Sequence, residues 1–175
     1  METLKAISFR KSVRSFQEKQ VPEEILDKII KAGFQAPVAF DHYETVHLTI
    51  IQNKGIIKRI ADEASAWMHK VTQYPQDMDL GTGTLIIVSS RNGLHYSEKY
   101  ANAACILENM LIAATDLGVD SILWGAAVTA ISGEWSFWRE LGIPWLFEPI
   151  LAAYFGYAIY DKAPKEHKIS VNRIY

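Results

Sequence analysis

Between residues 98 and 117 lies a run with almost no polar side. Tyr100, Ala103, Ala104, Leu107, Leu111, Ala114 and Leu117 recur at helical spacing. Ile106, Met110, Ile112 and Ala113 widen that stripe nearly around the axis. A helix apolar on most sides is buried centrally or lies in a subunit interface. Gly118 ends it, as glycine adopts the left-handed turn that closes a helix without steric cost. The rest of the chain, or a second copy of it, must cover this helix.

The flanking sequence supplies the pieces. Leu4, Ala6, Ile7 and Phe9 suggest a short first helix, and Val21-Pro22-Glu23-Glu24 opens a second. Proline is tolerated in a first turn and acids there favour the positive end of the dipole. Ile25, Ile29 and Ile30 carry its apolar side to about Gln35, and Ala36-Pro37 stops it. Val46-His47-Leu48-Thr49-Ile50-Ile51 is rich in β-branched residues and reads as a strand. Helical spacing returns over 56–69, Tyr74-Pro75-Gln76-Asp77 breaks it, and Leu85-Ile86-Ile87-Val88 is a short buried strand. After a short apolar segment over 121–125, residues 134–141 predict a helix and 150–157 a strand. The tail from Asp161 is polar, then partly alternating through Ile169, Val171, Ile174 and Tyr175, and needs a surface such as a partner subunit. No repeat or linker interrupts the chain, so residues 1–175 read as one domain.

Composition narrows the function classes. A formal charge of -2 gives no general basicity for nucleic acid. The single Cys105 excludes an intrachain disulfide framework and a cysteine-based metal cage, and a reducing cytoplasm fits. Pro144, Glu148 and Pro149 interrupt the most apolar stretch, which makes it a poor membrane span, and Met1-Glu2-Thr3-Leu4 opens an amphipathic segment, not a signal core. There is no G-x-S-x-G elbow, phosphate-binding P-loop or dinucleotide fingerprint, and the five histidines lack ligand spacing. Asp41-His42-Tyr43-Glu44 reads as a solvated loop, since adjacent residues rarely all turn toward one ion. Trp135, Phe137, Trp138, Trp145 and Phe147 read as core, with a lid over an aromatic ligand as the alternative. A reaction carried by a bound organic cofactor needs few catalytic side chains.

One local feature stands out: Arg10-Lys11-Ser12-Val13-Arg14-Ser15-Phe16. In extended chain, Arg10, Ser12 and Arg14 project to one side and Val13 to the other. Two guanidinium forks with a hydroxyl between them suit a phosphate monoester, because arginine donates paired charge-assisted hydrogen bonds. A solvated basic stretch is the other reading of the same residues.

The cluster matches the R-x-S-x-R-x-F opening of the FMN-dependent nitroreductase family, and further motifs follow in the same order. Val21-Pro22-Glu23-Glu24-Ile25-Leu26 and Ala36-Pro37 resemble its second helix and A-P turn. The 101–118 stretch is similar to its long central helix, and Trp124-Gly125 resembles its flavin contact. Leu141-Gly142-Ile143-Pro144, Glu148-Pro149, Gly156-Tyr157 and Pro164-Lys165-Glu166-His167-Lys168 resemble its later motifs and tail. The resemblance implies an α+β fold, a mixed β-sheet covered by helices, in an intertwined cytoplasmic homodimer. It implies FMN as cofactor, NAD(P)H as electron donor and a small-molecule acceptor such as a nitroaromatic or quinone, reduced by a ping-pong mechanism. No nucleic acid or membrane partner is expected. Arg10, Lys11, Ser12 and Arg14 would hold the FMN phosphate and ribityl chain, with Lys165 and His167 or Lys168 approaching from the tail. Pro37, Val38 and Ala39 would meet the isoalloxazine ring from the partner subunit, and Trp124 and Gly125 would lie against it.

The chain also departs from the family pattern. Where the family often continues A-P with S-S-x-N-x-Q-P-W, this sequence has Val38-Ala39-Phe40-Asp41-His42-Tyr43-Glu44-Thr45. Hydroxyl and amide donors are lost there, and an ionised Asp41 would disfavour an anionic reduced flavin. His167 stands where arginine is typical, and residues 67–80 have no obvious match to the asparagine and lysine that often touch the flavin in the family. A flavin- or ligand-binding protein without turnover is the alternative, and flavin-fragmenting and reductive-dehalogenating relatives share the fold.

Overall fold

The computed structural model describes residues 2–91, 94–160, 163–164 and 167–175. Along the chain run α1 (Thr3–Phe9), α2 (Glu23–Gly33), β1 (Val46–Ile51), α3 (Lys54–Thr72) and β2 (Thr84–Arg91). Then come α4 (Tyr96–Asp116), β3 (Asp120–Leu123), α5 (Gly125–Ala130), α6 (Trp135–Glu140) and β4 (Phe147–Gly156). This is the α+β architecture that the sequence implies.

The strands form one sheet in the order β1-β2-β4-β3, with every neighbouring pair antiparallel. The expected mixed character is confined, among the described residues, to an isolated parallel bridge between Ser12 and Ser121. β4 starts earlier than the predicted 150, because a register irregularity between Val88 and Ser89 accommodates Pro149 opposite Ser89. Proline cannot donate to a ladder and is tolerated at such a bulge. Gly83, at the entry to β2, meets β4 so closely that a Cβ there would lie 2.4 Å from the Phe155 carbonyl oxygen.

Alternation along the strands divides the core in two. Ile86, Val88, Leu151, Ala153 and Phe155 pack with Leu26 and Ile29 of α2 and Leu107, Met110 and Leu111 of α4. Leu85, Ile87, Ala152 and Tyr154 pack on the opposite face with Ile57, Ile60, Ala61 and Ala64 of α3, Ala127 of α5 and Phe137 and Trp138 of α6. The aromatic group is thus partly core, although Trp135 and Trp145 stay exposed.

α4 is buried on one side only. Ala103, Ile106, Leu107, Met110, Leu111 and Ala114 are in the core, whereas Ala101, Ala104, Cys105 and Glu108 are exposed. Gly118 adopts φ +76°, the left-handed turn that its position after α4 predicts. α5 is the helix that sequence periodicity missed. Its six residues, Gly-Ala-Ala-Val-Thr-Ala, are too few and too small to show an amphipathic pattern.

Candidate functional site

The basic segment is stitched into the sheet edge. Arg10 caps α1, its backbone N–H donating to the Ala6 carbonyl at 2.9 Å. From there the chain extends alongside β3, where the Val13 N–H donates to Ser121 O at 3.0 Å. Phe16 forms an antiparallel bridge with Ala158, and Gln17 N–H donates to Tyr157 O at 2.7 Å. The strand end it pairs with is itself fixed, since Ala158 N–H donates to the buried Asp120 carboxylate at 2.7 Å. Val13 is 0% exposed while Ser12 and Arg14 face outward, as the extended alternation predicts.

Arg10, Lys11, Ser12 and Arg14 consequently line one cleft of about 660 Å³. His167 of the tail lines it too, and so do Ile7, Ser8, Glu108 and Tyr160. Three permanent cations face one carboxylate, a formal +2 that complements a phosphate monoester of charge about -1.5 to -2 near neutral pH. Glu108 and Tyr160 escaped the sequence reading. Glu108 lies on a helix selected for its apolar pattern, and Tyr160 follows the last strand with no motif around it.

Following β3 away from Ser121, four residues of extended chain, about 13 Å, lead to Gly125. Leu123, on this sheet edge, is 45% exposed. A Cβ built on Gly125 would meet nothing within 4 Å, so the space over its backbone is open. Trp124 is different. Its side chain is 3% exposed, packs edge-on to Tyr154 with ring centroids 6.0 Å apart, and belongs to the core. Its Nε1 finds no hydrogen-bond partner among the described residues. At this position only the backbone and Gly125 can face a ligand. The basic lining of the cleft suits an anionic group such as a phosphate.

Pro37, Val38 and Ala39 do not line this cleft. They sit in the loop from α2 to β1, where Pro37 is exposed and Val38 is buried in the core beneath. The loop is braced. Asn102 of α4 accepts a hydrogen bond from Ala39 N–H at 3.0 Å, and Tyr43 Oη donates to Ala36 O at 3.1 Å. Phe40 and Asp41 both take left-handed backbone angles, φ 58° and 57°. Lys165 lies outside the described residues.

Residues 7–157 match the nitroreductase family. The chain belongs to that family. Among solved structures, this nitroreductase-family chain resembles a nitroreductase with bound FMN from Bacteroides fragilis, 26% identical with a TM-score of 0.82, over 100% of this chain and 98% of that one. A nitroreductase with bound FMN from Desulfitobacterium hafniense shares the fold, with a TM-score of 0.85 at 22% identity over 99% of this chain and 100% of that one. A Methanothermobacter thermautotrophicus protein provisionally named NADH dehydrogenase/NAD(P)H nitroreductase is 28% identical over 71% of this chain. The match spans 61% of that relative's length.

Proposed function

We propose that this chain is an FMN-dependent oxidoreductase that uses NAD(P)H to reduce nitroaromatic, quinone or similar electron-poor small molecules, and that residues 1–175 form one FMN-binding unit. The observation that carries this reading is the convergence of Arg10, Lys11, Ser12 and Arg14 on one cleft at the β3 edge. Family membership and the FMN-bound relatives support it.

Arg10, Lys11 and Arg14 supply the charge for the phosphate, and Ser12 a hydroxyl donor. His167 adds a ring nitrogen to the lining of the same cleft. The open backbone at Gly125 and the exposed Leu123 offer the ring a flat seat. Bound FMN supplies the redox chemistry, accepting a hydride from the nicotinamide and passing the reducing equivalents to the acceptor. Donor and acceptor use the same open face in turn, which gives ping-pong kinetics. No acid or base is needed from the protein, whose part is to orient and tune the flavin.

A homodimer completes this reading. The exposed Ala101, Ala104 and Cys105 leave an apolar strip on α4 that a second copy can cover. Pro37, Val38 and Ala39 then reach the ring from the partner subunit.

Anaerobic titration of purified protein tests the proposal. A yellow protein that bleaches with NADH or NADPH is expected. A colourless protein that ignores added FMN overturns the flavin reading, and a yellow protein inert to both donors favours the binding protein without turnover. Replacing Arg10 and Arg14 together by Ala should weaken FMN at least a hundredfold, about the worth of two charge-assisted hydrogen bonds.

A further inference from the structure

Arg10 is not free in the cleft. Its Nε lies 3.3 Å from Glu108 Oε1, across the gap between the end of α1 and the middle of α4. A carboxylate in a phosphate cleft looks misplaced, since it repels the ligand it faces. Its contact with Arg10 explains it. A guanidinium presents donors from Nε and from both terminal nitrogens in one plane. An ion pair at Nε restrains the side chain from behind and leaves the two terminal nitrogens toward the cleft. The backbone of Arg10 is already fixed, because its N–H caps α1. Glu108 removes much of the remaining freedom of a long side chain, and such freedom is costly to lose on binding.

We infer that Glu108 is a positioning residue for the cofactor phosphate: it holds Arg10 in its binding orientation, and this outweighs its own repulsion of the phosphate. This rests on the flavin reading above and names a residue to which the sequence motifs assign no ligand role. Glu108 acts through Arg10, and its loss falls on phosphate recognition alone. Riboflavin, which shares the ring and ribityl chain but lacks the phosphate, does not sense it.

The test is equilibrium binding of FMN and of riboflavin to the parent chain, Glu108→Ala, Glu108→Gln, Arg10→Ala and the double variant Glu108→Ala/Arg10→Ala. Glu108 is exposed, so these variants keep the fold. Glu108→Ala should lower FMN affinity about fivefold, the upper worth of a partly exposed ion pair, and leave riboflavin unchanged. Glu108→Gln removes the charge of the ion pair and should lower FMN affinity as Glu108→Ala does. In the Arg10→Ala background, the Glu108→Ala change should cost little more, since the group it positions is gone. An unchanged FMN preference in Glu108→Ala overturns the inference. So does an equal loss of FMN and riboflavin, or strict additivity with Arg10→Ala. If the parent itself shows no preference for FMN over riboflavin, the flavin-phosphate reading falls with it. A parent that prefers FMN beside an indifferent Glu108→Ala sinks only the role of Glu108.

Discussion

At the residue scale, the backbone of the 38–45 loop carries a cost. Phe40 and Asp41 are consecutive left-handed residues, and the Phe40 side chain is 79% exposed. The left-handed region costs an L-residue about 1–2 kcal/mol, least for Asp and Asn. Phe40 recovers little of this by burial. Phe40→Gly relieves it, offset in part by the greater entropy of an unfolded glycine, for a net gain of about 0.5–1 kcal/mol. Urea unfolding should show the gain as a higher midpoint, and an unchanged or lower midpoint would mean that the conformation is unstrained. Strain of this kind persists where surrounding contacts impose it, and it collects at functional sites. Here Asn102 and Tyr43 impose it. His47 offers a second residue-scale prediction. It is half-buried on β1, its ring 6.1 Å from that of Phe147, and burial pushes its imidazole below the ordinary value. The unfolded chain then binds more protons than the folded one as pH falls through about 6.5. Stability from neutral His47 is complete above that pH and is lost as pH drops through the lowered folded value. His47→Gln should flatten the pH dependence of unfolding below about pH 6.5. Parallel pH profiles for parent and variant would count against it.

At the element scale, the sheet depends on close approach as much as on apolar pattern. The Cβ that Gly83→Ala introduces would stand 2.4 Å from a backbone oxygen of β4 and 2.8 Å from the Tyr154 ring. The carbonyl belongs to a paired strand and cannot swing aside. Tyr154 is also pinned, its Oη donating to Gly81 O at 2.7 Å. The substitution should cost about 3 kcal/mol, at the upper end of overpacking changes, because backbone and not a flexible side-chain end is displaced. A variant with the parent's unfolding midpoint would show that the entry to β2 can shift. Gly83 also marks what a sequence can convey. Gly81-Thr82-Gly83 reads only as a weak loop motif, because close approach to another strand leaves no local signal. The strands and long helices were legible because alternation and 3.6-residue spacing record burial directly. α5 was not, being too short for a period. Within the site, Arg10, Ser12 and Arg14 were legible as a run that alternates outward from Val13, and the cleft gathers them together with Lys11, which alternation would place on the Val13 side. Trp124 was harder to read, since a tryptophan in a motif looks the same whether its ring or its backbone faces the ligand. Glu108 and Leu123 depend on which elements pack side by side, which spacing along the chain does not encode.

At the scale of the whole molecule, the unsolved problem of one chain is its apolar surface. Ala101, Ala104 and Cys105 lie exposed on a helix whose sequence is apolar almost all round. Beyond the last strand, Ile169, Val171, Ile174 and Tyr175 are exposed in a tail without secondary structure. Among the described residues β1 is an edge strand paired with β2 alone, so one row of its backbone groups is open to another chain. Apolar area of this extent is normally covered by an interface. In the homodimer we propose, a second copy would supply the cover and the 37–39 loop would meet the ring. Ala104→Arg tests the arrangement where it is most sensitive. Small side chains let two helices approach to about 8 Å, and an arginine from each copy at that distance separates them sterically and by charge. Ala104 is exposed within the single chain, so its replacement leaves the internal core untouched. Sedimentation should find the parent dimeric and Ala104→Arg monomeric, with the same far-ultraviolet circular dichroism. FMN affinity should fall in the monomer although Arg10, Lys11, Ser12 and Arg14 are all present, because the phosphate cleft belongs to one chain and the loop over the ring to the other. A monomeric variant that binds FMN as tightly as the parent would mean that one chain builds the whole site.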